Sequence, residues 1–255
     1  MKNPKNILIT GAGSGIGRAL ALVYAKPEVN LFLCGRDLEK LQITKILCEE
    51  LKANVLLEII DVCDEVATKS WIDKIEENYE LDLVIANAGI SAGTAGGPES
   101  FEQVKKIFNT NVTGVLNVTH PAIEKMKIRK RGQIALVSSL AGFRGLPSSP
   151  SYSASKSAVR VYGEALRGNL AGLGIGVSVI CPGYIKTPMT DINEFPMPFL
   201  MDTEKCAEVI KAGLAKNKSR IAFPFQLYFV VWLATLLSTK ITDPIFAKLP
   251  GKKAL

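Results

Sequence analysis

Tyr152 and Lys156 are the residues of this chain whose types and spacing most directly predict chemistry, and they bracket the segment Y-S-A-S-K. Four residues is about one helical turn, so on a helix both side chains lie on the same face. A phenol normally keeps its proton until about pH 10, and a neighbouring ammonium favours the phenolate. Such a pair can donate and accept a proton at cellular pH, as the reduction of a carbonyl requires. The alternative is an ordinary solvated helix face.

A glycine-rich segment follows the first apolar run and reads T-G-A-G-S-G-I-G over residues 10–17. Glycine lets the backbone approach a ligand closely, and the N-terminus of the next helix offers unpaired N–H groups and positive potential. This position predicts a pyrophosphate site for a dinucleotide, with a purely structural turn as the alternative. The spacing is G-x-x-x-G-x-G, and the Gly-Lys of a Walker A loop is missing.

The second apolar run ends in Gly35-Arg36-Asp37, where dinucleotide-binding folds select their cofactor. An acidic residue at this point binds the ribose 2′-hydroxyl, whereas an arginine suits a 2′-phosphate and can grip it with two hydrogen bonds. Arg36 therefore favours NADP(H) over NAD(H). Asp37 is the rival for the ribose, and it could equally begin the following helix as its N-cap.

Apolar runs alternate with stretches that are long enough for helices. The runs that predict strands are Ile7–Thr10, Val29–Cys34, Asn54–Ile60, Leu81–Ala86, Gln133–Ser138 and Val177–Cys181, and the predicted helices include Asp37–Lys52, Glu65–Tyr79 and Ser100–Lys127. Runs without polar alternation suit strands that are covered on both faces. We expect an α/β fold, a single-domain Rossmann-type doubly wound parallel sheet. Its catalytic domain spans residues 1–220, and a hydrophobic and basic extension covers 221–255.

The composition excludes several classes of protein. The chain has 255 residues, 47% of them hydrophobic, with one histidine and five cysteines in no C-x-x-C pattern, so we expect no metal site, no disulfide framework and a cytoplasmic location. Residues 1–204 carry 22 basic and 22 acidic side chains, whereas residues 205–255 carry nine and two. The net charge of +7 thus lies in the C-terminal fifth, and without a recognisable reading element it does not indicate nucleic acid.

Further motifs join the glycine loop and the Tyr152 pair within residues 5–190. In chain order they are the glycine loop Thr10–Gly17, Asp61, Asn87-Ala88-Gly89, Asn111, Ser139, Tyr152 with Lys156, Pro182-Gly183 and Thr187. In these motifs and their order the chain resembles the short-chain dehydrogenase/reductase family. The resemblance implies reduction of a ketone to a secondary alcohol with NAD(P)H, or the reverse reaction.

The resemblance also implies the catalytic roles. Tyr152 is the expected general acid, and Lys156 is expected to lower its pKa and to bind the nicotinamide ribose. Ser139, thirteen residues before Tyr152, is expected to hold the substrate oxygen, with Ser138 as the rival. Asn111 is expected to link Lys156 to bulk water in a proton relay, or else to serve as a helix-interior amide.

The cofactor contacts implied by the resemblance extend along the chain. They are Gly11, Ser14, Gly15, Ile16, Gly17, Arg36, Asp61, Val62, Asn87, Ala88, Gly89, Tyr152, Lys156, Pro182, Gly183, Ile185 and Thr187. Asp61 is expected at the adenine amino group, or as a helix cap. Asn87 is expected mainly to tie strands together. Thr187 is expected at the nicotinamide carboxamide, or as the cap of the next segment.

Residues 188–202 correspond to the family's mobile lid over the substrate and read P-M-T-D-I-N-E-F-P-M-P-F-L-M-D. Their methionines and phenylalanines make the lid apolar and adaptable, which favours a lipophilic or acyl-type ketone. The alternative is that these side chains pack on the protein's own core.

Residues 221–237 depart from the family pattern because they are strongly apolar and flanked by lysines and an arginine. The segment is short for a membrane span, so its alternatives are a membrane surface, a dimer interface or a wall of the substrate pocket. A second basic run, residues 125–131, suits a solvated loop or an acidic carrier protein. Homodimers or homotetramers are expected from the resemblance.

Two other functions compete with an active reductase. A non-catalytic NADP-binding sensor or scaffold would keep the fold, but it has no need of Asn111, Ser139, Tyr152 and Lys156 together. A sugar-nucleotide epimerase is disfavoured by the glycine spacing and the chain length.

Overall fold

The computed structural model of the chain describes residues 1–249, which form one seven-stranded sheet covered by helices on both faces. The strands are β1 (Asn6–Thr10), β2 (Asn30–Gly35), β3 (Asn54–Ile59), β4 (Leu83–Ala86), β5 (Gly132–Val137), β6 (Ile175–Pro182) and β7 (Arg220–Phe223). The helices are α1 (Gly15–Tyr24), α2 (Leu38–Glu50), α3 (Glu65–Glu76), α4 (Phe101–Phe108), α5 (Gly114–Arg129), α6 (Pro150–Leu170), α7 (Pro188–Asp191), α8 (Thr203–Ala215), α9 (Phe225–Leu236) and α10 (Thr239–Phe246). The Rossmann-type prediction is therefore confirmed.

All neighbouring strands are parallel, in the order β3-β2-β1-β4-β5-β6-β7. The chain thus leaves β1 in one direction to build β2 and β3, and in the other to build β4 to β7. Ligands bind where such a sheet reverses its order, at the carboxyl ends of the strands. This reversal lies between β1 and β4, directly beside the glycine loop.

The core is divided by the sheet into two layers, because successive side chains of a strand point to opposite faces. Ile7 and Ile9 of β1 join a cluster that includes Leu20 and Ile210 of the helices on one side. Leu8, between them, joins a second cluster formed with α3, α5 and α6. Burial on both faces explains why the sequence shows continuous apolar runs here instead of alternation.

Two predicted elements differ from the structure. The predicted helix over residues 100–127 is interrupted by a π-helical turn at Asn109–Thr113, which separates α4 from α5. Residues 220–223 form β7 and pair with β6. The predicted domain boundary between residues 220 and 221 therefore cuts through a strand of the sheet, and the elements that follow this strand up to residue 249 are α9 and α10. No helix within residues 1–249 combines the length and the apolar content that crossing a bilayer demands.

Candidate active site

A cavity of about 470 Å³ runs along the carboxyl ends of the central strands. Its volume is within the usual range of small-molecule and cofactor sites. Of the residues predicted from the sequence, those that line it are Gly11, Ser14, Gly15, Ile16, Arg36, Asp61, Val62, Asn87, Ala88, Gly89, Ser139, Tyr152, Lys156, Pro182, Gly183, Ile185 and Thr187. Gly17 and Asn111 do not line it. Residues separated by up to 176 positions are thus brought to one cleft.

The glycine loop connects the carboxyl end of β1 to the N-terminus of α1. Gly11 and Gly15 have φ values of +64° and +52°, a region that other residues rarely adopt. Gly17 is buried, and a Cβ there would lie 2.2 Å from the carbonyl oxygen of Gly11, so this glycine allows close packing of α1 on the loop, and its cofactor contact stays a prediction. Ser14 is the N-cap of α1 but makes no side-chain capping bond, and the first turn carries no acidic residue. The helix end is therefore free to receive an anion.

Charged side chains surround the ends of β2 and β3. Arg36 lies 3.8 Å from Asp61, and both are more than 40% exposed. Asp37 begins α2 as its N-cap, accepting a hydrogen bond from the backbone N–H of Lys40, and its carboxylate lies 2.7 Å from the Lys40 ammonium. The hydrogen bond from Lys40 lowers the pKa of Asp37. Of the two alternatives for Asp37, the structure thus shows the helix cap.

Lys40 is a cavity residue that the sequence prediction missed, and it stands on the first turn of α2. A lysine four positions after Arg36 was the available signal. Asp61 is not a helix cap, because Asp64 caps α3 through the N–H of Ala67. Instead, Asp61 accepts from the backbone N–H of Cys63 and keeps the turn after β3 closed.

The ends of β1 and β4 are joined by side-chain hydrogen bonds. Asn87 donates to the carbonyl oxygen of Thr10 at 2.9 Å. In return, the Thr10 hydroxyl accepts from the backbone N–H groups of Asn87 and Ala88, each at 3.0 Å. Asn87 therefore ties the two strands together at the floor of the cavity, as a strand-linking role requires.

Tyr152 and Lys156 lie one turn apart near the start of α6. The Lys156 ammonium is 5.9 Å from the centre of the Tyr152 ring and donates a 2.9 Å hydrogen bond to the carbonyl oxygen of Val137, the last residue of β5. Lys156 is only 4% exposed. The helix and the strand thus hold the amine beneath the phenol, at the bottom of the cleft.

Burial dominates the protonation of this pair. It raises the pKa of Tyr152, although the nearby Ser139 hydroxyl acts in the opposite direction, and it lowers the pKa of Lys156 to about 8. The expectation that the Lys156 ammonium lowers the pKa of Tyr152 is not met in this structure, because the amine is directed to the Val137 oxygen and the partial burial of the phenol disfavours its charged form. The raised pKa keeps the proton on Tyr152 at neutral pH, which is the form that a proton donor needs, while it makes the phenol a weaker acid.

The two adjacent serines have different surroundings. The Ser138 hydroxyl donates a buried 2.7 Å hydrogen bond to the backbone carbonyl oxygen of Lys156, which fixes α6 against β5. The Ser139 hydroxyl accepts from the N–H of Ala141 and reaches the oxygen of Pro182 only at 3.5 Å. Ser139 is thus the serine with a hydroxyl proton available to a ligand.

Asn111 lies in the π-helical turn and is fully buried. Its amide donates to the oxygen of Ile90 and to the Ser155 hydroxyl, and its oxygen accepts from the N–H of Ile90. Gly89 separates it from Lys156: a Cβ on Gly89 would lie 3.1 Å from the Asn111 oxygen and 3.2 Å from the Lys156 amine. The side chain therefore holds the segment after β4 in place, and the relay role stays a prediction.

The segment after β6 closes the far end of the cavity. Thr187 is the N-cap of α7 and also lies against Gly15, where a Cβ would come within 3.0 Å of its methyl group. The backbone of Met201 pairs with Tyr184 and Lys186, which fixes both ends of the predicted lid. Between them, Phe195 stacks edge-on against Tyr184, while other lid side chains are exposed. The lid is thus only partly packed on the core.

The second basic run is largely neutralised by neighbouring acids. Lys125, Lys127, Arg129 and Arg131 pair with Asp73, Glu124, Glu76 and Glu80 respectively. An acidic carrier would have to compete with each of these pairs, so the structure gives this prediction no support.

Comparisons with known proteins agree with this geometry. The family model described as short chain dehydrogenase matches residues 5–195. An uncharacterized oxidoreductase of Myxococcus xanthus is 39% identical over 94% of this chain and 95% of its own length. The 3-oxoacyl-[acyl-carrier-protein] reductase FabG of Thermotoga maritima is 33% identical over 81% of this chain and 88% of its own. Among solved structures, a single-residue variant of actinorhodin polyketide ketoreductase with NADPH has 27% identity and a TM-score of 0.80, covering 89% of this chain and 98% of that one.

Proposed function

This chain belongs to the short-chain dehydrogenase family of oxidoreductases, and on that premise we propose that it reduces a lipophilic or acyl-type ketone to a secondary alcohol with NADPH, or catalyses the reverse oxidation. The proposal rests on one observation: the glycine loop, which could bind phosphates, and Tyr152, which could donate a proton, line the same cavity. Activity on the CH–OH/C=O couple with a nicotinamide cofactor follows from the family membership.

The cavity fits a dinucleotide. Gly11 and Gly15 have backbone angles that favour glycine, so the loop carries no side chain at these two positions. The first turn of α1 carries no acidic residue. Asp61 and Val62 would hold the adenine end, and Pro182, Gly183, Ile185 and Thr187 would border the nicotinamide. When bound, the reduced cofactor would supply the hydride.

The protein's own residues supply the proton. Tyr152, whose pKa is raised by burial, would donate its hydroxyl proton to the substrate oxygen as the carbonyl is reduced. Ser139 would hold that oxygen by a hydrogen bond from its hydroxyl. Lys156, with a pKa of about 8, can be charged or neutral near physiological pH, and so can return a proton toward Tyr152. Asn111 would support this relay by fixing the segment that carries Gly89.

The preference for NADP(H) rests on charge. Arg36 and Lys40 both line the cavity at the end of β2, where Gly35 stands in the position of the ribose-binding acid. The nearby alternative acid, Asp37, is engaged by the first turn of α2 and by Lys40. A 2′-phosphate would therefore meet two cations, in competition with the acids that pair with them, Asp61 with Arg36 and Asp37 with Lys40.

The apolar lid supports a lipophilic substrate. Met189 lines the cavity, and Phe199 and Leu200 expose 54% and 43% of their surface within the lid. The 33% identical ketoacyl reductase and the polyketide ketoreductase act on acyl-type ketones by name. Both features point to the same substrate class.

A homodimer or homotetramer is the proposed assembly. Phe101 and Phe108 of α4 and Val161 of α6 expose apolar surface on the helices through which the family pairs. The proposed location is the cytoplasm, and four of the five cysteines are buried as free thiols, as suits a reducing compartment.

A non-catalytic sensor is the rival, and a kinetic assay separates the two. We expect consumption of NADPH, followed by its absorbance, with ketones of rising acyl length, and slower consumption with NADH in parallel. Turnover that is confined to small polar sugars would reject the substrate class. Cofactor binding without turnover of any carbonyl would favour the sensor.

A further inference from the structure

The outer face of α9 is apolar, whereas a helix on a protein surface normally turns polar residues outward. Its inner face packs through Leu227 and Val231 against the core beside β6. Its outer face includes Phe225, Phe229 and Trp232, which are 71%, 47% and 40% exposed and whose rings follow one another at 6.2 and 6.1 Å. Because apolar surface is stabilised when it is removed from water, we expect a helix that is apolar on both sides to be covered on both sides.

The apolar surface continues beyond α9. Ten of the 25 exposed large hydrophobic side chains in residues 1–249 lie within residues 225–249, and they run through Leu236 into α10 at Ile241 and Ile245. Soluble monomers rarely expose contiguous apolar patches of more than a few hundred Å². We call residues 225–249 the C-terminal apolar surface.

The charges around this surface are almost entirely positive. Asp243 is its one acidic residue, and Asp243 is paired with Arg144. Within the described part of the chain, Lys240 and Lys248 have no carboxylate partner, in contrast to the paired lysines of residues 125–131. The sequence after residue 249 adds Lys252 and Lys253.

We propose that the C-terminal apolar surface docks on a bilayer that contains anionic lipids, with α9 lying in the plane of the interface. Aromatic and aliphatic side chains beside unpaired lysines are the chemistry that such a surface recognises. With 12 residues, α9 is about 18 Å long, too short for a hydrocarbon core of about 30 Å. A second copy is disfavoured as the occupant, because a two-fold contact sets each lysine-bearing surface against an identical one.

The docking surface is joined to the cleft. A Cβ on Gly183 would lie 2.9 Å from the side chain of Leu227, so α9 packs directly behind a cavity residue. Arg144, five residues after Ser139, pairs with Asp243 and lies over the ring of Phe246 at 5.2 Å. A lipophilic ketone dissolved in the bilayer would therefore lie close to the segments that form the candidate active site. Only this statement about the substrate rests on the proposed function.

The test is co-sedimentation of the full-length protein with vesicles of equal parts phosphatidylcholine and phosphatidylglycerol, with pure phosphatidylcholine vesicles alongside. We expect binding to the anionic vesicles that is at least about tenfold weaker in the triple variant Phe225→Gln, Phe229→Gln, Leu236→Gln. Removing both unpaired lysines, as Lys240→Gln with Lys248→Gln, should weaken binding about 25-fold at low salt, at about fivefold per lysine.

Matched controls make the outcome specific. The variant Ile46→Gln, Val66→Gln, Ile128→Gln removes three apolar side chains from α2, α3 and α5 that are 56%, 79% and 83% exposed, and it should bind vesicles like the wild type. In a Trp71→Phe background, Trp232 is the one remaining tryptophan, and its emission should shift to the blue when anionic vesicles are added.

Two results would overturn the proposal, namely absence of binding to anionic vesicles and an equal loss of binding in the control variant. If the wild type does not bind and the Phe225 triple variant changes its oligomeric state, the surface is a contact between copies. Vesicle binding should not depend on Tyr152, so the variant Tyr152→Phe should bind vesicles like the wild type. Failure of the proposed enzymatic function would therefore not contradict the proposed membrane docking.

Discussion

Replacing Lys156 by methionine should stabilise the protein while it impairs the enzyme. Burial lowers the pKa of Lys156 from 10.5 to about 8, so below pH 8 the fold keeps an ammonium charged in a site that disfavours the charge. Each pKa unit corresponds to about 1.36 kcal/mol, which makes this cost roughly 3 kcal/mol. Methionine has a similar length and carries no charge.

Part of that gain is offset. The Val137 carbonyl oxygen would lose the 2.9 Å hydrogen bond from the amine, and a buried unsatisfied carbonyl costs about 1–3 kcal/mol. The net expectation for Lys156→Met, without cofactor, is a gain of about 0–2 kcal/mol in the free energy of unfolding at pH 7. Since domains are stable by only about 5–15 kcal/mol, urea denaturation resolves such a change.

The pH dependence of the difference between variant and wild type identifies the cause. Because the folded-state pKa of Lys156 is depressed, the unfolded chain binds more protons between about pH 8 and 10.5, so wild-type stability gains from Lys156 as pH rises through that range. The advantage of the methionine variant should thus be full at pH 7 and shrink above pH 8. Other groups titrate in both proteins and cancel in the difference. A variant that is less stable at pH 7, or an advantage that is constant from pH 7 to 10, would refute the reasoning.

Three further predictions concern the site. Tyr152→Phe should lower kcat by about 10²–10⁴-fold and leave cofactor binding, measured by fluorescence titration, unchanged; near-wild-type turnover would end the assignment. Arg36→Gln should raise the KM for NADPH by about tenfold or more and leave that for NADH nearly constant, and an equal effect on both would reject a 2′-phosphate contact. Gly89→Ala places a methyl 3.1 Å from the Asn111 oxygen and 3.2 Å from the Lys156 amine, so cofactor affinity should fall about tenfold. Unchanged affinity would show that the Asn111 and Lys156 side chains can move to accept the methyl group.

Much of the fold was predictable because its signals are local. Apolar runs of strand length, separated by stretches of helix length, identified six of the seven strands. The missing strand, β7, has only four residues and directly precedes the apolar α9, so the two merge into one apolar run in the sequence. The break in the helix over 100–127 has no local signal that we recognised, and Asn111 in the π-helical turn makes its side-chain hydrogen bonds to the distant Ile90 and Ser155.

The sequence by itself determined which chemistry is present: the glycine loop after β1, the Arg36 position, and Tyr152 with Lys156 one turn apart are fixed by spacing along a strand or a helix. Tertiary structure decided what surrounds those groups. It brought Lys40 to the cavity, gave Asp37 to a helix end, committed Ser138 to the backbone and paired four of the five basic residues in 125–131 with acids. It also raised the pKa of Tyr152, because pKa values depend on burial and on distances between segments, and neither can be read from neighbours in the chain.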